Sequence, residues 1–176
     1  MGLRDLFSRR NRGDLIPVIE PLRRAEQDWI TAQIKIANLY IVVASDELLA
    51  LDPHSEAAEK IRSDAQAKGL ADVVSLEHLA ADWQSRPAIE RPDVNDLVNS
   101  LGVAVGEHIR LGTGLTWVIA VDSNGSELAL HATIGDILIC PQNLVAKRIV
   151  AGESGFVGPL IERSIAYVKQ VLLAAQ

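Results

Sequence analysis

Apolar residues recur every three or four positions through most of the first half of the chain and again at its end, which predicts helices. The clearest run is a series of four large aliphatic residues spaced four apart, in a helix that Asp93 opens: Leu97, Leu101, Val105 and Ile109. Further helices are predicted to begin at Pro21, Asp52 and Ser75 in the first half, and at Gln142 and near Pro159 in the second. Residues 14–86 are therefore predicted to form a helical layer.

Between residues 115 and 140 the pattern changes to that of strands. Leu115 to Asp122 is rich in β-branched and aromatic residues, and Ser126 to His131 alternates polar with apolar side chains. Asn124-Gly125 is a preferred hairpin turn, and Ile137 to Cys140 predicts a third strand. Helices followed by a meander predict an α+β fold: a three-stranded antiparallel meander packed with five or six helices in a single domain over residues 14–176. Residues 93–176 supply its long helix, the meander and the C-terminal helices.

Two glycines, Gly102 and Gly106, lie on one face of the helix that Asp93 opens. Each costs about 1 kcal/mol relative to alanine inside a helix. We therefore expect another segment of backbone to pack very closely against that face.

Composition and charge limit the classes of partner. The chain has 176 residues, 48% of them apolar, and a net charge of −6, which argues against a nucleic-acid binder. Acidic residues outnumber basic ones by eight between Asp46 and Glu107, which favours a basic protein partner. The single Cys140 fits a reducing compartment, and the longest apolar stretch is about half of the ~20 residues that span a bilayer. We expect a cytoplasmic protein.

Residues 1–13 form a basic tail with four Arg and one Asp. Leu3, Leu6 and Phe7 have the spacing of one short helical face. Contact with an anionic membrane is expected only through residues 1–12. A basic tail without such a role explains the same residues.

The candidates for catalysis surround the predicted hairpin: Asp122, Glu127, His131 and Lys147. Asp122 is expected to lie across from Glu127, and two close carboxylates are typical of acid–base pairs. His131 shares a strand face with Glu127 but lies roughly 13 Å from it, four strand steps away. Solvated turn residues account for the same set. The four histidines lie in separate segments without ligand spacing, so no metal or cofactor is predicted, and Cys140 is expected to be a buried, inert thiol.

A second set of charged residues predicts ion pairs between elements. Three glutamates, Glu107, Glu127 and Glu153, are expected to pair with Lys147 and Arg148 and so to tie the long helix, the hairpin and the following helix together. The same five residues are the candidates for a binding surface.

The stretch from Val98 to Phe156 resembles an uncharacterised bacterial domain family, common in actinobacteria. The resemblance is carried by the pattern Asn99, Leu101-Gly102, Gly106-Glu107-His108, Gly114-Leu115-x-Trp117-Val118, Asp122, Gly125-x-Glu127, Ala129, Pro141, Val145, Lys147-Arg148 and Gly152-Glu153. Ser126 and Cys140 depart from the pattern, which usually has Thr and an aromatic residue there. The resemblance implies a bacterial cytoplasmic protein with a helix–hairpin–helix arrangement, and no known activity or cofactor.

Because no complete catalytic constellation is present, we expect a non-catalytic domain that binds a protein or peptide, or itself. The meander and the region of Lys147 and Arg148 form its expected face. A hydrolase or small-ligand enzyme that uses the hairpin candidates is the alternative, and a peripheral membrane module is a third.

Overall fold

A computed structural model describes residues 16–67, 69–123 and 125–175. The predictions for the basic tail, Lys68 and Asn124 lie outside these residues. In chain order the elements are β1 (Val18–Pro21), α1 (Arg24–Leu51), α2 (Glu56–Ala67), α3 (Val73–Ser85), a 3-10 turn (Ala88–Glu90), α4 (Val94–Thr113), β2 (Thr116–Asp122), β3 (Gly125–Ala132), β4 (Ile137–Ile139), α5 (Pro141–Val150) and α6 (Val157–Ala174). The fold is α+β, as predicted.

The antiparallel sheet has four strands in the order β1-β2-β3-β4, so the predicted three-stranded meander was one strand short. The additional strand, β1, lies within the segment that was predicted to be helical. Pro21 does not begin the first helix: it is the last residue of β1 and is paired with Val118. Proline is tolerated in this place because the end of an edge strand does not need another ladder donor.

The first helix, α1, begins two residues after Leu22 and runs for 28 residues. Glu26 closes a capping box at its start, where its carboxylate accepts a hydrogen bond of 2.7 Å from the backbone N–H of Arg23. The β-branched residues near its centre do not stop the helix, because tertiary packing outweighs their weak intrinsic preference. Asp52, predicted to cap the next helix, instead ends α1, and α2 begins at Glu56.

The strongest sequence prediction, α4, is confirmed, with Asp93 as its cap. The expected close approach of another backbone is confirmed at Gly102, whereas at Gly106 the close neighbours are side chains. A Cβ on Gly102 would lie 2.7 Å from the backbone Cα of Gln142, and one on Gly106 would lie 2.7 Å from Cζ2 of Trp117. Gly102 therefore leaves room for the start of α5, and Gly106 leaves room for the indole of Trp117 in β2.

One hydrophobic core joins α1, α3, α4, α5 and α6 to one face of the sheet, where Trp117, Leu130 and Ile139 contribute. The opposite face carries a separate cluster centred on Val118, Ala120 and Ala129. In the described part of the chain, no helix is both long and apolar enough to span a membrane.

Candidate functional site

Asp122, Glu127 and His131 share one face of the β2–β3 hairpin, but they do not converge. Glu127 lies opposite Ala120, and Asp122 lies opposite Gly125. The two carboxylates are therefore offset by one position along the shared face, and the expected direct pairing is wrong. His131 lies opposite Thr116 at the other end of the strand. The hairpin therefore separates the histidine from the carboxylates.

A polar cluster forms where β4 ends and α5 begins. Asn143 donates a hydrogen bond of 2.9 Å to Oε2 of Glu127, and the thiol of Cys140 donates another to the same side chain. The pKa of Cys140 is raised to about 12, first by burial and then by the bond to Glu127 and the charges of Glu127 and Asp122, while the charge of Lys147 opposes them. Three of the sequence candidates, Asp122, Glu127 and Lys147, thus act on a thiol that stays protonated near neutral pH, which agrees with the prediction of an inert cysteine.

Two cavities adjoin this cluster, and Leu128 lines both. The polar one, of about 160 Å³, is lined by Asn99, Glu127, Leu128, Cys140, Gln142 and Asn143. The apolar one, of about 270 Å³, is lined by Ala25, Glu26, Trp29, Ile119 and Leu128. We call the two together the hairpin groove. It offers an apolar compartment beside an amide- and carboxylate-lined one.

Glu107 lies elsewhere and has different partners. Its carboxylate accepts hydrogen bonds of 2.9 and 2.7 Å from Nε and Nη2 of Arg110, and one of 3.0 Å from the indole N–H of Trp117. The bonds from Arg110, together with the one from Trp117, lower the pKa of Glu107 despite its partial burial. The side chain is only 16% exposed. The cation that pairs with Glu107 is Arg110 in the same helix, and not Lys147 or Arg148 as expected.

Arg148 and Glu153 form the pair that the sequence predicted, with Nε and Oε2 4.0 Å apart. Burial lowers the pKa of Arg148, which is 13% exposed and also donates to the carbonyl of Leu144. The five residues of the expected network therefore fall into three separate groups, at Glu107, at Glu127 with Lys147, and at Arg148 with Glu153.

The sequence reasoning missed the outer face of α1. Five apolar residues follow one another along it at spacings of three and four: Trp29, Ala32, Ile36, Leu39 and Val43. We call them the α1 stripe. Trp29 is 38% exposed, Leu39 61% and Val43 46%. The spacing was visible in the sequence, but it overlaps the run of inward-facing residues and is hidden by it.

No group of three or more potential metal ligands occurs within residues 16–67, 69–123 and 125–175. His108 has a structural partner, the carbonyl of Ala71 at 2.9 Å from Nε2. The carboxylate of Glu77 accepts hydrogen bonds from the backbone N–H groups of Phe156 and Val157 and so caps α6. Both of these polar groups serve to hold helices together.

Comparison with known proteins supports the resemblance to an uncharacterised domain family. Residues 76–158 match the family described as Domain of unknown function (DUF3806). This region spans α3 through the start of α6 and contains Glu107, the hairpin and α5. No curated protein matches the chain, and no solved structure does.

Proposed function

We propose that this chain is a non-catalytic domain that binds another protein, by packing an amphipathic helix of that partner against the α1 stripe. The observation that carries the proposal is that α1 is apolar on two sides. Its inner side, which includes Ile30, Ala37 and Ile41, is buried in the core. A surface helix ordinarily has one apolar stripe, so the second one calls for a covering partner.

The geometry of the stripe suits a helix. Its positions alternate between steps of four and three residues, which is the spacing of a coiled-coil seam. From Trp29 to Val43 the stripe is about 21 Å long, or roughly four helical turns. At its Trp29 end it leads into the apolar compartment of the hairpin groove, where one further apolar side chain of the partner fits against Ile119 and Leu128.

The charges around this surface favour a basic partner. Acidic residues of α1 lie beyond both ends of the stripe, Glu26 and Asp28 at one end and Asp46 and Glu47 at the other, and Lys35 is the one charged residue between Trp29 and Val43. The second acidic pair begins the range from Asp46 to Glu107, in which acidic residues outnumber basic ones by eight. Glu127 adds a carboxylate that forms no ion pair with a described residue. Complementary charge steers encounter and selects among partners, whereas two copies of this acidic chain repel each other.

The hairpin candidates favour binding over hydrolysis. The pKa of Cys140, about 12, leaves almost no thiolate at neutral pH. His131 lies opposite Leu138, one position along the face from Cys140, and it is not among the groups that act on the thiol, so the thiol has no base beside it. Glu127 is occupied by Asn143 and the thiol. The bacterial cytoplasm is proposed as the location on the strength of the resemblance and of the single cysteine.

A display selection tests the proposal. The full chain is used as bait for a phage library of amphipathic helical peptides of about four turns. We expect the enriched peptides to carry apolar residues at three- and four-residue spacing, with Lys or Arg beside them. Replacement of two exposed stripe residues, Leu39→Asp and Val43→Asp, is expected to weaken the binding of these peptides at least about tenfold, as for other apolar anchors.

Leu173→Asp is the matched control, because Leu173 is 72% exposed on α6, away from the stripe. Circular dichroism confirms that each variant stays folded. Selection of no helical peptide, or of peptides that bind the stripe variant unchanged, would refute the proposal. A wild-type dimer in sedimentation that the stripe variant abolishes would replace the foreign partner with a second copy of the chain.

A further inference from the structure

A cavity of about 810 Å³ lies at the corner where β1 passes into α1 and α4 passes into β2. We call it the corner cleft. Its apolar walls include Leu22, Leu115 and Trp117, and its polar lining consists of Gln27, Arg110, Thr116, His131 and Thr133. Clefts of this size with a few polar groups on apolar walls are typical of small-molecule sites. It has no lining residue in common with the hairpin groove.

Arg110 is held in a fixed orientation at this cleft. Glu107 binds one edge of its guanidinium, through Nε and Nη2, and is itself fixed by the indole N–H of Trp117. These bonds use Nε and one N–H of Nη2, so Nη1 and the second N–H of Nη2 remain for another acceptor, and the side chain is 37% exposed. Such a guanidinium is pre-organised, so a ligand that binds it does not have to order it first.

We infer that the corner cleft binds a small organic monocarboxylate with an apolar body. The planar guanidinium recognises a carboxylate through parallel N–H donors, and the walls formed by Leu22, Leu115 and Trp117 would bury the apolar part. Thr116, Thr133 and His131 supply further hydrogen-bonding groups around the carboxylate. This site is separate from the helix-binding surface, and its existence does not depend on that proposal.

The lining also limits the charge of the ligand. Arg110 is the one arginine or lysine among the lining residues, and Glu107 already balances part of its charge. A polyphosphate or a dicarboxylate would leave negative charge uncompensated in this partly enclosed space. The amino end of α1, which contributes Gln27 and follows Leu22, adds a modest positive potential that suits a single anionic group.

Titration with octanoate tests the inference, with Trp117 as the reporter. Its indole N–H is bonded to Glu107 at the cleft, so its ¹H–¹⁵N signal, assigned with Trp117→Phe, is expected to shift and saturate as octanoate binds. The indole of Trp83 bonds to the carbonyl of Pro92 instead and is expected not to shift. Octanol, which lacks the charge, is expected to bind at least about tenfold more weakly, as for a lost charge-assisted hydrogen bond.

Two variants test whether octanoate binding depends on the corner cleft, independently of whether the chain folds. Arg110→Gln removes the guanidinium and is expected to weaken octanoate at least about tenfold. Thr116→Phe fills the cleft without touching the ion pair and is expected to abolish binding. Arg62→Gln is the matched control, since Arg62 pairs with Asp46 outside the cleft. Circular dichroism reports whether each variant folds.

The inference is wrong if octanoate leaves the Trp117 signal unchanged in the millimolar range, if octanol binds as well as octanoate, or if both cleft variants bind normally. Inorganic phosphate that displaces octanoate at equal concentration would show a general anion site and would also overturn the assignment to a carboxylate with an apolar body.

Discussion

Two glutamates near the β2–β3 hairpin have opposite surroundings. Glu107 is 16% exposed and bonded to a cation and an indole, and its pKa is lowered. Glu127 is exposed and bonded to an amide and a thiol, and it forms no ion pair with a described residue. The first carboxylate fixes neighbouring side chains in place, whereas the second keeps a charge that a partner can neutralise.

The comparison shows that residue type and spacing do not reveal the role of a charged side chain. Both glutamates were grouped in sequence with Lys147 and Arg148. What distinguishes them is which donors the fold brings within reach: α4 supplies Arg110 to Glu107, whereas the start of α5 supplies Asn143 to Glu127.

The largest effect is expected in the reactivity of Cys140, which reports on the environment of Glu127. At pH 8, a pKa of about 12 in place of 9.0 lowers the thiolate fraction roughly a thousandfold. We therefore expect the native chain to react with an aromatic disulfide reagent about that much more slowly than the chain unfolded in guanidinium chloride.

Glu127→Gln removes an acceptor and a negative charge from the thiol, so it should speed the reaction of the native chain. The rate should stay below that of the unfolded chain, because burial persists. Equal rates for native wild type and this variant would show that Glu127 does not hold the thiol protonated, and the contrast with Glu107 would lose its basis.

The next largest effect is expected at Gly106, which allows the indole of Trp117 to reach Glu107. The Cβ in Gly106→Ala would lie 2.7 Å from Cζ2 of Trp117 and 2.8 Å from Cγ of Pro141. We expect a loss of about 1–3 kcal/mol in the free energy of unfolding, since overpacking outweighs the gain in helix preference. Chemical denaturation measures it, with Leu111→Ala, at an exposed position of the same helix, as the control.

A pair of matched substitutions gives the smallest effects and tests the comparison directly. Glu107→Gln is expected to cost about 1–2 kcal/mol at pH 7, because it removes hydrogen bonds to a charged carboxylate. Glu127→Gln should change stability by less than about 0.5 kcal/mol, since the side chain is exposed and an amide still accepts a bond.

The pH dependence of this pair follows from the lowered pKa of Glu107. A carboxyl whose folded pKa lies below its ordinary value of 4.5 contributes stability above that pH, and the contribution disappears as the pH falls through the folded pKa. The cost of Glu107→Gln should therefore be complete at pH 7 and shrink in acid below pH 4.5. Equal costs for the two substitutions, or a cost at Glu107 that is independent of pH, would contradict the assignment.

Much of the fold could be predicted from the sequence, and much of the candidate site could not. The periodicity of α4, its Asp93 cap and the close packing at Gly102 were predicted because each depends on local spacing or backbone demand. Strand β1 was missed because four residues ending in proline carry too little pattern, and only the pairing with β2 makes them a strand.

The sequence by itself determined the α+β class, the acidic charge and the inertness expected of a lone cysteine at the end of an apolar strand, where the structure places it partly buried, because these follow from composition and from contacts between near neighbours along the chain. The tertiary structure decided that Glu107 holds Arg110 at a cleft, that Leu128 lines two cavities, and that the second apolar side of α1 is exposed within the described part of the chain. Each of these depends on which distant elements pack together, and a hydrogen bond or a cavity exists only once that packing has fixed the distances.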